Sequence, residues 1–122
     1  MKLNNDCIRD ILIQVEEANL GYKLTIKDLT LKLPQYTEED IIYSCLKLGE
    51  ANFLSLDKTR YIRDNIDTIH KINSITYSGH QFLDIIRNDN VWNKTKSTLK
   101  SMGASSIKTI FEIALKIIED KI

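Results

Sequence analysis

One stretch of the sequence decides the predicted fold: TEEDIIYSCLKLGEANFLSLDKTRYIRDNIDTIHKINSITYSG, from Thr37 to Gly79. It opens with a helix start, because the Thr37 hydroxyl can accept a hydrogen bond from the amide three residues on. Three carboxylates then occupy the first turn, at the positive end of the helix. The apolar residues that follow recur at helical spacing. This pattern predicts a helix up to about Ala51, with its inner face formed by Ile41, Ile42, Cys45, Leu48 and Gly49.

The second half of the same stretch has the pattern of a strand pair. Residues 52–56 read as a strand, Asp57 and Lys58 as a turn, and residues 66–72 as a returning strand. One face of that strand is formed by Ile66, Thr68, His70 and Ile72. Residues 59–65 fit either strand or the loop between them. Thr76 then opens a further helix.

Two shorter helical patterns precede this stretch. The first begins at Asp6, which we expect to be its N-cap, and continues to about Ala18. The second is capped by Thr25, with Asp28 at the reciprocal position, and ends before Pro34. Two short helices, a third helix and a strand pair are the order of elements of a winged helix-turn-helix. We therefore predict a mainly α chain with a small β-hairpin, in which residues 1–88 form a winged-helix-like domain and residues 89–122 form a C-terminal helical extension.

The extension closes with a complete apolar stripe, whose members are Ile107, Ile110, Phe111, Ala114, Ile117 and Ile118. A helix with such a stripe must bury it. Packing on its own domain and pairing in a homodimer are both consistent with the pattern. The mixed charges of the opposite face do not favour a membrane surface.

Charge gives DNA binding little support, because the 17 basic and 17 acidic residues cancel and nonspecific DNA affinity comes from neutralising phosphates. The halves differ: residues 1–56 have 6 basic and 9 acidic residues, whereas residues 57–122 have 11 and 8. An anionic partner is therefore expected to favour the second half of the chain.

If the third helix contacts duplex DNA, the fold type predicts which side chains take part. On the helix they are Tyr43, Ser44 and Lys47, and in the wing they are Lys58, Arg60 and Arg63. Acidic residues share both regions. A protein–protein interaction module on the same scaffold is therefore the alternative to a DNA-binding regulator.

The sequence contains no motif for catalysis, and its two cysteines and two histidines lack the close spacing of a zinc site. Cys7 and Cys45 are expected to be buried thiols. We expect a protein that is not an enzyme and binds no cofactor or metal. No segment has the length of a membrane span and no signal peptide is apparent, so the expected location is the cytoplasm.

Three segments carry a resemblance to a known family: CIRDIL (Cys7–Leu12), YTEEDIIY (Tyr36–Tyr43) and ITYSGHQFLDIIR (Ile75–Arg87), the last followed by Val91 and Trp92. The chain resembles a family of small uncharacterised bacterial and prophage proteins, a domain of unknown function. The resemblance implies a winged-helix-like amino-terminal domain with appended helices, and it transfers no catalytic residue. A regulator of gene expression and a protein that binds a host factor are both consistent with that setting.

Overall fold

The computed structural model describes residues 1–61, 66–103 and 106–120, which form six α-helices and a two-stranded antiparallel sheet. The elements are α1 (Asn5–Glu17), α2 (Ile26–Lys32), α3 (Glu38–Glu50), β1 (Leu54–Tyr61), β2 (Ile66–Ile75), α4 (Tyr77–Ile86), α5 (Asp89–Met102) and α6 (Ile107–Asp120). This confirms the prediction of a mainly α chain with a small β-hairpin.

Three of the predicted helix starts are formed by the expected side chains. Thr25, Thr37 and Thr76 each accept a hydrogen bond from the amide three residues on, at 3.0 to 3.1 Å. At Thr25 the bond is reciprocal, because the Asp28 carboxylate accepts from the Thr25 amide at 3.0 Å. These caps satisfy amides that lack partners within the helix.

The start of α1 differs from the prediction. Asn4, not Asp6, is the N-cap, and its side chain accepts from the Cys7 amide at 3.2 Å. Asp6 lies in the first turn, and its carboxylate is hydrogen-bonded instead to Trp92 and Lys96 of α5. The correction moves the helix start by two residues.

The hairpin is longer than predicted. Asp57 and Lys58 were expected to form its turn, but they lie within β1 and pair with Lys71 and Ile69 of β2. The register shifts at two places, and at each of them β2 has one residue more than β1, as in a β-bulge. Residues 62–65, between the strands, lie outside the described part of the chain.

A further backbone contact extends the sheet on the other side of β2. The Ile72 amide donates to the Leu24 carbonyl at 2.7 Å, which forms an isolated antiparallel bridge immediately before α2. The chain between α1 and α2 therefore lies alongside β2. The strand β2 is consequently flanked by β1 and, at one point, by this segment.

One buried cluster includes residues of all six helices and both strands. Cys7 and Cys45 are among its members, as expected for buried thiols, and so is Trp92. Burial raises the pKa of the Cys7 thiol to about 11 and that of Cys45 to about 12, so both are protonated at neutral pH. Because α5 and α6 contribute to the same cluster as α1 to α4, the predicted extension shares its core with the rest of the chain.

Candidate nucleic-acid interface

The predicted wing is the two-stranded ribbon formed by β1 and β2. Alternation along the strands places Leu54 and Ile72 in the core, while residues 57–60, 70 and 71 remain exposed. The ribbon is buried at its base, where Leu54 and Ile72 lie, and exposed farther out. It therefore projects from the helical body. Such a ribbon has the width that the DNA major groove admits.

Two of the three predicted wing cations lie on this ribbon. The Lys58 ammonium is 3.1 Å from the Asp67 carboxylate on the opposite strand, and Arg60 follows at an exposed position. Ion pairs at this level of exposure contribute little to stability, so a phosphate can replace the carboxylate without a large penalty. Arg63 lies outside the described residues.

Sequence reasoning missed one lysine on the ribbon, Lys71, and one lysine beside it, Lys23. Lys23 and Lys71 line the same shallow depression, together with Asp57, and both are exposed. The bridge between Leu24 and Ile72, their sequence neighbours, brings them close together. Lys71 lies within the predicted returning strand, residues 66–72, and could have been assigned to this surface, whereas Lys23 could not, because the bridge is a non-local contact.

The helix α3 differs in character from the ribbon. It carries four carboxylates, those of Glu38, Glu39, Asp40 and Glu50, and a single lysine. That lysine, Lys47, donates to Glu50 at 3.0 Å, and this hydrogen bond raises the pKa of the ammonium. The electrostatic surface of α3 is therefore acidic.

Three residues of α3 were predicted to contact DNA. Tyr43 and Lys47 lie together at the surface, but Ser44 does not reach it. The Lys47 ammonium lies 5.5 Å from the centre of the Tyr43 ring, and both side chains are half-buried. Ser44 is fully buried, so including it among groove-contacting residues was wrong. Its position on the helix faces the core, where the neighbouring Cys45 and Ile41 also lie.

The apolar stripe of α6 is largely covered within the chain. Ile107, Ile110 and Ala114 are buried. The Phe111 ring packs with its centre 5.7 Å from that of Phe53 and 5.6 Å from that of Phe82. Ile117 and Ile118, near the end of the helix, are half-buried. This placement accounts for most of the stripe by internal packing, and pairing through the stripe remains a prediction.

Within the described ranges, no helix is long and apolar enough to cross a membrane. The same residues include no group of three or more His, Cys, Asp or Glu side chains that could hold a metal ion.

Comparison with known proteins identifies a family and a relative that are described as hypothetical or uncharacterised. Residues 2–105 match the model of a family described as hypothetical protein (DUF2513). An uncharacterised protein of Haemophilus influenzae is 30% identical over 119 residues, which cover 97% of this chain and 96% of the relative. No solved structure matches. Because the family match extends over most of the sequence and the relative aligns along nearly its whole length, the chain belongs to the DUF2513 family.

Proposed function

We propose that this chain is a non-enzymatic winged-helix protein that binds duplex DNA and regulates gene expression. The order of α1, α2, α3, β1 and β2 supports the winged-helix assignment, as does the bridge between Leu24 and Ile72. In a winged helix the segment between the first two helices joins the sheet of the wing. The isolated bridge between Leu24 and Ile72, with its 2.7 Å hydrogen bond, supports that comparison.

The charge difference between the ribbon and α3 carries the proposal. In its described residues the ribbon has three cations, Lys58, Arg60 and Lys71, against two carboxylates, and Lys23 lies next to it. The helix α3 has four carboxylates against one lysine. A phosphate backbone attracts the first surface and is repelled by the second. The proposed interface is therefore the ribbon, and α3 is excluded as the principal reader.

A two-stranded ribbon is a suitable element for this contact. It fits the major groove as a helix does, and its side chains alternate between the two faces of the sheet. Lys58 and Arg60 can then contact phosphates in exchange for their partners within the chain, and Lys71 and Lys23 extend the contact toward α2. A regulator of bacterial or prophage genes with this interface acts in the cytoplasm, where its DNA lies.

The decisive experiment is a titration of a fluorescent random-sequence duplex with the full chain, at low salt and again near physiological salt. A specific DNA-binding protein retains a nonspecific phosphate term that appears at low salt. We expect binding that weakens as salt rises. The triple variant Lys58→Ala/Arg60→Ala/Lys71→Ala should weaken binding and reduce the slope of log K against log salt by about 0.9 for each phosphate that the protein no longer neutralises.

A charge-matched control separates local contact from net charge. The variant Lys94→Ala/Lys100→Ala/Lys116→Ala removes three exposed lysines from α5 and α6 and leaves the ribbon intact. If both triple variants lose the same affinity, the ribbon is not the interface. If the wild-type chain fails to bind the duplex at low salt, the DNA-binding proposal is wrong.

A second candidate function is favoured by the outward face of α3. Tyr43 and Leu46 are half-exposed there, and Glu39 and Glu50 are exposed beside them. Apolar side chains with acidic neighbours suit a protein segment that carries apolar and basic residues. We propose this face as a protein-binding surface if the DNA titration is negative. Its test is photocrosslinking from position 46 in the host bacterium: a basic partner whose crosslink is lost in Glu39→Lys/Glu50→Lys supports it, and a crosslink unchanged by that variant overturns it.

A further inference from the structure

A cleft of about 480 Å³ lies between the first residues of the chain, α3 and the beginning of α6. Its lining residues are Met1, Lys2, Leu3, Tyr43, Lys47, Glu50, Ala51, Ser106, Ile107 and Lys108. The volume falls within the range of pockets that hold small organic molecules. None of these residues belongs to the ribbon, so the cleft is separate from the proposed DNA interface.

Cations dominate the charged groups of the cleft. Lys2, Lys47 and Lys108 reach it from three different parts of the chain, against one carboxylate, that of Glu50. The Lys47 ammonium is 3.0 Å from that carboxylate, and both side chains are exposed to solvent by more than a third. Such a pair is weak in water. The Lys47 ammonium can therefore also interact with an incoming anion.

The position of Lys108 is unfavourable without an anion nearby. It lies in the first turn of α6, which has no acidic residue there, and a cation at a helix N-terminus opposes the helix dipole. The Ser106 hydroxyl accepts from the Thr109 amide at 3.1 Å and donates to the Thr109 hydroxyl at 2.7 Å. That contact satisfies the Thr109 amide but brings no negative charge to the helix end, so an anion bound in the cleft would also lie near the positive end of α6.

The remaining lining is apolar. The Tyr43 ring, Leu3, Ala51 and Ile107 provide carbon surface next to the ammonium groups. Ile107 is buried, and Leu3 packs against the hydrophobic core, so this surface belongs to the folded body of the protein. A fully hydrated inorganic anion would leave it uncovered. The lining is complementary to a molecule with both an apolar body and a charged head group.

We infer that this cleft binds a small organic anion, whose carboxylate or phosphate contacts Lys47 and Lys108 and whose apolar part lies on Tyr43 and Leu3. The same ligand touches both α3 and α6. Its binding therefore joins the beginning of α6 to the C-terminal half of α3. This inference does not depend on the DNA-binding proposal, because no ribbon residue takes part.

The test is a chemical-shift titration of the ¹⁵N-labelled full chain with hexanoate, hexyl phosphate, inorganic phosphate and 1-hexanol. We expect the two amphipathic anions to shift amides of residues 2–3, 47–51 and 106–108, with dissociation constants of about 1 mM or below. The relative affinities of hexanoate and hexyl phosphate identify the preferred head group. Inorganic phosphate has the negative charge without an apolar body, and hexanol has the apolar body without the charge. Each should bind at least about tenfold more weakly than the amphipathic anions.

Paired variants assign the binding to the lysines of the cleft. Lys47→Met/Lys108→Met should weaken binding of the preferred anion by about tenfold, whereas Lys94→Met/Lys116→Met, with the same charge change elsewhere, should stay within about twofold. The spectra also report whether each variant is folded. The inference is overturned if hexanol binds as tightly as the anions, if both double variants lose the same affinity, or if no probe shifts the cleft amides at about 10 mM.

Discussion

The indole Nε1 of Trp92 donates a hydrogen bond to Oδ1 of Asp6 over 2.9 Å and joins α5 to the first turn of α1, 86 residues earlier in the sequence. The Trp92 side chain is buried, so the indole N–H needs a partner inside the protein. Lys96 donates to the same carboxylate oxygen, also at 2.9 Å. Burial raises the pKa of the Asp6 carboxyl, but the hydrogen bonds from Lys96 and Trp92 outweigh it and the pKa is lowered.

A double-mutant cycle on Asp6 and Trp92 measures this connection. The variants are Asp6→Ala, Trp92→Phe and the combination, because Phe keeps most of the ring and removes the N–H. We expect a coupling free energy of about 1 kcal/mol in the stability measured by urea unfolding and circular dichroism. Additive effects would show that Trp92 acts through packing alone. Lys96→Met, which removes only a partly exposed partner, should cost less than about 0.5 kcal/mol.

Gly79 gives a second prediction, whose sign is opposite to that expected from helix propensity. A Cβ built at this position in α4 lies 2.1 Å from the Phe53 carbonyl oxygen and 2.8 Å from a side-chain carbon of Ile75. The Phe53 oxygen also accepts a hydrogen bond from the Thr76 amide at 3.1 Å, so this backbone is held in place. Gly79→Ala must therefore separate α4 from the segment that precedes β1.

We expect Gly79→Ala to lower the free energy of unfolding by about 2 kcal/mol or more, although alanine is favoured over glycine in an isolated helix by about 1 kcal/mol. The exposed neighbouring position provides the control: Ser78→Ala should change stability by less than about 0.5 kcal/mol. If Gly79→Ala unfolds at the same urea concentration as the wild type, α4 can move to make room for the methyl group without loss of stability.

Local chemistry explains why much of this fold could be predicted from the sequence. The hydroxyls of Thr25, Thr37 and Thr76 contact amides three residues away, and such a contact can be read from neighbouring residues alone. Helix periodicity likewise placed Ile41, Cys45 and Leu48 on the buried face of α3, but it missed Ser44. Asp6 misled the prediction because its true partner is Trp92, which no local pattern indicates.

The candidate site was less predictable, because it depends on contacts between distant segments. Lys58 and Arg60 could be assigned to the wing from the strand pattern, but the turn was placed too early because cross-strand pairing extends β1 past Asp57. Lys23 reaches the ribbon only through the bridge between its neighbour Leu24 and Ile72. The cleft beside Tyr43 and Lys47 exists only because α6 packs with its first turn next to α3.

The ion pairs of Glu16 predict a dependence of stability on pH. The Arg87 guanidinium donates to both Glu16 oxygens, at 3.2 and 2.6 Å, and the His80 ring nitrogen lies 3.5 Å away. The hydrogen bond from Arg87 outweighs the effect of burial and lowers the pKa of the Glu16 carboxyl below its ordinary value of 4.5. The folded state therefore binds fewer protons at this group than the unfolded state.

It follows that Glu16 contributes stability above its ordinary pKa, and that this contribution is lost as pH falls through the lower pKa of the folded state. We expect the difference in unfolding free energy between wild type and Glu16→Gln to shrink as pH is lowered from about 6 to about 3. The matched control is Glu17→Gln, at the exposed neighbouring position. If the difference in unfolding free energy between wild type and Glu16→Gln stays constant across this pH range, the pKa of Glu16 is not lowered by folding.

The packing of the Phe111 ring against those of Phe53 and Phe82 yields a prediction that separates internal packing from pairing of α6. The Phe53 and Phe82 ring centres are also only 5.0 Å apart, so the three rings form one aromatic cluster. Because Phe111 is the member contributed by α6, Phe111→Ala should lower the free energy of unfolding by about 2–4 kcal/mol through reduced burial and an unfilled cavity. Lys116→Ala, at an exposed position of the same helix, should change it by less than about 0.5 kcal/mol.

Light scattering on the same proteins supplies the second measurement. If α6 serves mainly to complete the core, wild type and the Ile117→Ala/Ile118→Ala variant are both monomers by light scattering. The two substitutions change only half-buried side chains, so the fold is kept. Phe111→Ala then has a lower midpoint of urea unfolding that does not depend on protein concentration. If the wild-type chain is instead a dimer and the Ile117/Ile118 variant a folded monomer, the end of α6 forms the dimer interface, while the Phe111 end still anchors the helix to its own core. A concentration-dependent midpoint in the wild type alone would distinguish this second arrangement, because subunit association stabilises only the assembled state.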